Sequence, residues 1–452
     1  MDQERHDPAH DAPTDVDVVV IGAGLAGLTA AATAARAGAA VTVLDAHAPG
    51  GRARSDERQG YVFNQGPRAL YLKGPGAAIL AGLGLHPTGA PPARVVAGLR
   101  RDRLGLLPTS AASLARSPLL GAGAKVGLAR VLARFARIDA GTLADRSGAQ
   151  WVQSLGLPDA AAAVITTLLR VATYAPDLEA ISADAAVRQL QLVQTGGVRY
   201  LDGGWSTLVD GLLGTATGAG AGLVPRARAT AVTDTADDRH WDVATTDGTW
   251  RAGAVVVAVG SPAAARALLP ADPGWHLGQD ATAACLDLGL HRPPPTPVLF
   301  DLDRPLYLST HAPSARLAPA GAALVHVLRY GARSSDEDRP ELRRHAAAAG
   351  IGEADVVVER FLHRMVVSHS LPAPGRGLAG RPPVAVPGRS GVFVAGDWVG
   401  PIGLLADASL ASGFAAGEAA VRAATTTRTG HGTGTATATA ATTAASQGRL
   451  AG

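Results

Sequence analysis

The sequence predicts an α/β protein built on a Rossmann-like dinucleotide-binding unit, on three observations. A β-branched run, Val18-Val19-Val20-Ile21, leads straight into Gly22-x-Gly24-x-x-Gly27 and an Ala-rich stretch. A second apolar run, Val41–Leu44, follows at once and ends in Asp45. Far along the chain, Val392–Ala395 is another run of the buried-strand type, and it leads into Gly396-Asp397 and a further helical stretch. Short β-branched runs without alternation are what a parallel sheet buried on both faces requires.

Each part of the opening stretch has a physical role. Gly22 permits the tight turn out of the strand, Gly24 lets a pyrophosphate approach the backbone, and Gly27 lets the next helix pack closely on the sheet. That helix is expected over Leu25–Ala37, closed by Gly38. Its first residues, Leu25 and Ala26, offer unpaired N–H groups and a partial positive charge to phosphates. Asp45, at the end of the second strand, can accept hydrogen bonds from ribose hydroxyls and disfavours a 2′-phosphate. Gly50, Gly51, Arg52, Arg54 and Ser55 suit a loop folded over the same pyrophosphate, with a guanidinium available to it. On these residues alone the dinucleotide is NAD or FAD.

The chain has 452 residues and a formal net charge of +3, too small and dispersed for nucleic acid. Its positive charge is nearly all Arg, the only lysines being Lys73 and Lys125. Cys285 is the single cysteine, which excludes an intrachain disulfide and a Cys-based zinc site, and its alternating context reads as core. Val18–Ala35 approaches membrane-spanning length. Its glycines fall at fingerprint positions and a second strand follows directly, so it reads as a buried strand and helix in a cytoplasmic protein.

The stretch Val16–Ser55 resembles the opening of the FAD-dependent amine oxidase, phytoene desaturase and protoporphyrinogen oxidase superfamily. Two positions depart from the family pattern. Asp45 stands where the family usually has Glu, and Ala48 stands where it often has a basic residue. The resemblance implies a Rossmann-like FAD-binding domain (GR2-type) with an inserted mixed α+β substrate domain. The FAD-binding domain would comprise 15–75, 199–270 and 386–424, and the substrate domain 76–198 and 271–385. Residues 1–14 read as a disordered leader, and the Thr/Ala/Gly repeats of 425–452 as a disordered tail.

Further along, Gly60–Leu72 resembles the family's short strand and Gly-Pro turn beside the flavin, which implies FAD contacts for Gly66, Pro67 and Arg68. Arg68 and Tyr71 are also candidates for the substrate cavity. Helices are expected at Leu119–Arg137 and Ala149–Val171. The first is basic and amphipathic; a solvated domain helix is favoured, with peripheral membrane contact as the alternative. Arg170 and Tyr174 close this region as pocket candidates, and Ser182 reads as the N-cap of a helix through Val193. Alternating runs at Ala227–Asp234 and Trp241–Thr246 read as adjacent strands, with Ala254–Val259 as a buried one. The resemblance implies that a backbone amide and carbonyl in the first of these, by position those of Val232, hold the adenine.

Strands are expected at Ala283–Leu290, Val298–Leu302 and Ala322–Leu328, then a helix over Glu337–Ala349. In the run Phe361–Ser370, His363, Met365, Val367 and His369 share one face by alternation. His363 and His369 are candidates for lining a cavity or accepting protons, although structural roles are commoner for such residues. No third ligand accompanies them, so no metal is expected. The resemblance implies that Gly396 and Asp397 meet the ribityl-phosphate part of FAD. The helix after Leu404 and Leu405 would aim its N-terminus at the flavin pyrimidine. Gly413 and Gly417 leave one face of that helix bare for close packing.

The expectation is an FAD-dependent, desaturase- or dehydrogenase-like oxidoreductase that accepts a hydride at flavin N5 from an apolar small molecule. Amine oxidation is the alternative. It is disfavoured because Cys285–Arg292 lacks the family's Lys and aromatics are scarce. An alternative of another class is a non-redox prenyl-binding protein resembling the Rab escort and GDP dissociation inhibitor proteins. The sequence assigns no catalytic acid or base, electron acceptor or oligomeric state.

Overall fold

The computed structural model describes residues 14–236 and 239–429. Thr14 opens the first strand, so the expected leader otherwise lies outside the described residues. The last helix runs Leu405–Thr429, so the first five residues of the expected tail are helical, and the remainder lies outside.

The first seven-stranded sheet has Thr14–Ile21 near its centre, between Val41–Asp45 and Gly248–Val257, both parallel to it. Gly222–Pro225 adds beyond Val41–Asp45. On the other side Gly248–Val257 is shared. Its first half pairs antiparallel with Trp241–Thr245, and its second half pairs parallel with Val392–Val394. Residues from both ends of the chain thus meet in one sheet. The fingerprint helix, Leu25–Arg36, is buried from Leu25 through Ala35. The near-membrane-length apolar run is therefore explained by burial on all sides. The Leu405–Thr429 helix lies on it closely enough that a Cβ on Gly413 would strike the Ala26 carbonyl, and one on Gly417 the Ala30 carbonyl.

The second seven-stranded sheet runs in the order Val356–Ser368, Ala281–Leu290, Ala323–Tyr330, Leu306–Ala312, Val298–Asp301, Ala97–Arg100, Arg103–Leu106. Alternation divides its side chains. Ala284, Leu286, Leu288, Leu308, Val325 and Val327 pack with Leu342 and Ala346 of the helix Ser335–Ala348. Cys285, Phe300, Tyr307 and Leu328 pack instead with helices of the 122–196 region.

Several expectations need correction. The stretch 76–198 holds strands as well as helices, since Ala97–Arg100 and Arg103–Leu106, for which no strands were expected, form a hairpin on the second sheet. Its turn residues, Arg101 and Asp102, both have φ near +50° to +60°, the type I′ geometry without its usual Asn-Gly. The expected helix Ala149–Val171 is two, Gly148–Ser154 and Asp159–Thr173, parted at Gly156 (φ 58°) and Pro158. Ser182 occupies the N-cap position of the helix Ala183–Gly196, as expected, but its side chain makes no capping bond; its hydroxyl hydrogen is shared between Ala144 O and Asp184 Oδ1. The strand Leu306–Ala312 was not expected at all.

Among the described residues, no helix is long and apolar enough to cross a membrane. The basic helix forms over Ala122–Phe135, with Ala124, Leu128 and Phe135 buried and Val126 exposed.

Candidate functional site

One cavity of about 1060 Å³ connects the two glycine-bearing ends of the chain. Its charged end is lined by Gly22, Gly24, Leu25, Ala26, Asp45, Gly50, Gly51 and Arg52, and by Gly396, Asp397 and Leu405. Gly22 (φ 107°), Gly50 (φ 118°) and Gly51 (φ 50°) hold left-handed conformations that favour glycine. At Gly24 the requirement is space, since a Cβ there would meet nothing within 4 Å and would simply project outward. Asp45 steadies this end from below. Its Oδ2 accepts from the Ala23 N–H at 2.6 Å and its Oδ1 from the His47 N–H at 2.7 Å. Gly27 does not line the cavity. It lies against the Gly22 carbonyl, where a Cβ would collide, and so sets the helix–strand approach.

Arg52 lines the cavity and is also committed to an ion pair. It donates to both carboxylate oxygens of Asp397, at 2.6 and 2.9 Å, and to Val367 O at 3.1 Å. Asp397 also accepts from the His369 N–H at 2.9 Å. Burial disfavours the charged form of Asp397, but the Arg52 guanidinium outweighs it and holds the carboxyl below the usual range. Charge pairing across 345 residues of sequence thus locks the two ends of the chain together. A residue missed by sequence reasoning supports the pair. Arg381, buried and pushed down to about 10 by desolvation, donates to Asp397 O, Ile402 O and Gly403 O. It fixes the loop before the last helix, whose first residues Leu405, Ala406 and Ser409 face the cavity. Leu404 is buried beside a separate shallow cleft.

Arg68 lines the middle of the cavity with Pro67 and Tyr71. Its guanidinium sits 5.5 Å from the Trp205 ring, and burial together with the nearby Arg52 charge pushes it down to about 10. Its Nε is buried without a partner. Gly66 lies behind this wall, packed against Met365.

The far end is apolar and aromatic. Pro92, Ala93, Val96, Leu168, Val171 and Phe300 line it. Of the six tyrosines in the chain, Tyr71, Tyr174, Tyr200 and Tyr307 also face this cavity. The low aromatic content was therefore a poor guide, because the few aromatics are concentrated here. Tyr71 donates to Ala172 O and Tyr174 to Pro67 O, each at 3.0 Å.

Three candidates lie elsewhere. The Val232 side chain is core, and the nearby cavity wall is formed by Ala227 and Arg228, just before the strand Ala229–Asp234, and by Ala229. Arg170 does not reach the cavity; its charge faces Tyr330, Asp177 and Arg329. His363 is exposed and meets Arg333 O at 3.1 Å, while Met365, Val367 and His369 do line the cavity. The register shift opposite Ala283 and Cys285 explains the split, since an extra residue between Leu362 and Met365 reverses the facing.

Below the aromatic end, Cys285, Asp287 and His326 bring ligand-type atoms within 4.8 Å of one another. Both Nε and Nη2 of Arg360 donate to Asp287 Oδ2, and His326 Nδ1 is 2.5 Å from Oδ1, so the carboxylate is fully engaged. Burial pushes the Cys285 thiol well up, and it donates to Asp287 at 3.0 Å.

The comparisons with known proteins agree with this geometry. Residues 20–80 match the NAD(P)-binding Rossmann-like domain family. A 61-residue stretch is 49% identical to hydroxyneurosporene desaturase of Rhodobacter capsulatus, covering 13% of this chain and 12% of that protein. Several solved structures share the fold over nearly the whole chain. An oxidoreductase from Methanosarcina mazei covers 89% of this chain and 100% of its own, with TM-score 0.72 and 16% identity. Cyclohexylamine oxidase from Brevibacterium oxydans covers 92% and 100%, with TM-score 0.68 and 17% identity. A Rab GDI from Plasmodium falciparum covers 90% and 98%, with TM-score 0.60 and 12% identity. The chain thus shares the fold of these solved structures, and its residues 20–80 form the Rossmann-like dinucleotide-binding unit within it.

Proposed function

We propose that the chain is an FAD-dependent oxidoreductase of the desaturase or dehydrogenase kind, acting on a mostly apolar small molecule. One observation carries the reading: a single cavity runs from the glycine fingerprint and Asp45, past Arg52–Asp397, into an apolar, tyrosine-walled chamber. Its volume of about 1060 Å³ lies at the upper limit for small-molecule pockets, in keeping with an elongated cofactor reaching toward a substrate chamber. The open space at Gly24 and the orphaned Arg68 Nε fit a bound anionic cofactor. Gly24, Asp45 and Gly51 would hold the ADP half, and Arg68, Met365 and the Leu405 end of the last helix would border the ring system. When bound, FAD supplies two-electron oxidation by accepting a hydride at N5. The protein orients the substrate and excludes water.

Amine oxidation has one observation in its favour, the gathered tyrosines. Against it, among the described residues the only carboxylates on the cavity wall are Asp45 and Asp397, both engaged at the charged end, and neither lysine lines it. A neutral apolar substrate suits that wall better than an ammonium ion. The non-redox reading shares the fold but leaves the engaged fingerprint loops without a use. Anaerobic mixing of the flavin-loaded protein with terpenoids and amines tests the proposal. Bleaching of the flavin by a terpenoid is expected; bleaching by amines alone would replace the reading, and a preparation that takes up no flavin would overturn it.

A further inference from the structure

Removing a hydride from a C–H bond also leaves a proton to be disposed of, whether the second hydrogen sits on carbon, oxygen or nitrogen. A chamber that works by hydride transfer therefore needs a proton acceptor on its wall; the inference below rests on that reading. Few groups qualify. Arg68 is already cationic, Tyr71 and Tyr174 donate to backbone carbonyls, and Asp397 is held by Arg52. His369 lies at the charged end with its Nδ1 3.1 Å from Asp280 Oδ2.

The remaining wall is the strand Leu306–Ala312, from which Tyr307 and His311 line the cavity. The hydroxyls of Tyr200, Tyr307 and Ser309 lie close enough to shift one another's protonation. Ser309 Oγ is 3.1 Å from His311 Nε2, and the His311 ring stacks on Tyr200 with centroids 3.6 Å apart. Behind it, the His326 ring meets His311 edge-on at 4.4 Å, and His326 reaches Asp287. Arg360, Asp287, His326 and Ser309 are direct cross-strand neighbours in one row. Burial disfavours the charged form of Asp287, but His326 and Arg360 hold its carboxyl below the usual range, so it is ionised. An ionised carboxylate only accepts, so His326 Nδ1 donates to it. Burial, with His326 adding to it, pushes His311 well below its ordinary value and keeps a lone pair on the neutral ring. Burial pushes the Tyr200 and Tyr307 hydroxyls up, so they stay protonated and can relay. A row kept only for architecture would satisfy its own polar atoms. Here His311 Nδ1 and His326 Nε2 are both buried without partners, and the row ends at a cavity.

We propose that Tyr200, Tyr307 and Ser309 relay the substrate proton to His311 Nε2, with His326 and Asp287 as positioning residues behind it. The bond to hydrogen beside the hydride-bearing carbon breaks heterolytically, and its electron pair becomes the new double bond. The hydride, with its two electrons, goes to the bound flavin. The proton passes to a tyrosine hydroxyl as that hydroxyl hands its own through Ser309 to His311.

The test uses the flavin-loaded full chain and anaerobic stopped-flow bleaching by a panel of terpenoid hydrocarbons and alcohols. His311→Gln is expected to slow bleaching roughly 10²- to 10⁴-fold at unchanged flavin content. It is also expected to abolish the acid-side rise of rate with pH. Tyr200→Phe keeps the ring stack, slows the step less and retains that rise. A wild-type rate and pH profile in His311→Gln overturns the relay. If His311→Gln does not fold, an unslowed Tyr200→Phe overturns it instead. If no panel member bleaches the wild-type protein, the hydride-transfer reading fails by itself. The relay is then judged by nitrogen NMR of histidine-labelled protein, where an unprotonated His311 Nε2 at pH 7 is expected and a protonated one contradicts it.

Discussion

The two ends of the cavity are built by opposite means. The charged end is made of backbone: glycines in left-handed conformations, helix N-termini, and loops pinned by Asp45, Arg52 and Arg381. The aromatic end is made of side chains from separate elements, Tyr71, Tyr174, Tyr200 and Tyr307, held on a sheet and the helices over it. A backbone-built site tolerates little change at a few positions and is indifferent elsewhere. A side-chain-built site spreads its specificity and can be retuned residue by residue.

The sharpest way to break this contrast is at the packed glycines. Gly413→Leu drives a side chain into the Ala26 carbonyl, and thermal unfolding should register a loss of about 3 kcal/mol. Gly24→Val should instead leave the melting temperature of the apoprotein unchanged, because its Cβ enters open space. Isothermal titration should show flavin affinity reduced roughly 100-fold, the equivalent of one or two charged hydrogen bonds. Loss of both stability and affinity would mean that Gly24 serves packing, as Gly27 does.

Arg52→Ala strands the Asp397 carboxylate. Removing one partner of a buried pair costs about 3–5 kcal/mol, discounted here to about 2 because Arg52 is 35% exposed. The folded-state pKa of Asp397 is depressed, so its stabilisation is present above the unfolded value, about 4, and is lost as pH falls through the folded value. Denaturant titrations should therefore separate wild type from variant at pH 7 and converge below about pH 4.

Asp407 runs the other way. Burial pushes it up to about 7, and its one polar partner is the Gly76 N–H. Its contribution is full below about pH 4 and is lost as pH rises through 7. Asp407→Asn should match wild type in acid and gain roughly 1–2 kcal/mol at pH 8. His363→Ala should do least: no change in flavin uptake or melting temperature, whereas His369→Ala should alter uptake because His369 lines the cavity.

The contrast also explains what could be read from the sequence. Gly22, Gly50 and Gly51 were legible because a left-handed backbone admits one residue type, and Gly24 because close approach to the backbone does, each at a fixed spacing. Arg52 was legible as a site residue but not as the partner of Asp397, since nothing local announces a contact across 345 positions. His363 was misplaced because a bulge reverses alternation without leaving a sequence mark. The strand Leu306–Ala312 was missed because Ser309, Thr310 and His311 interrupt its apolar pattern. Of these, His311 lines the cavity, and the apolar residues Leu306 and Leu308 were the available signal.

The central claim is that both ends of the chain close around one flavin dinucleotide. Titration of the apoprotein with FAD, followed by quenching of flavin fluorescence, tests it most directly. The account predicts uptake of one FAD per chain in wild type and a roughly 100-fold weaker curve in Gly24→Val. Wild-type protein that leaves FAD fluorescence unquenched while binding NAD, or equal FAD curves for the two proteins, would contradict it.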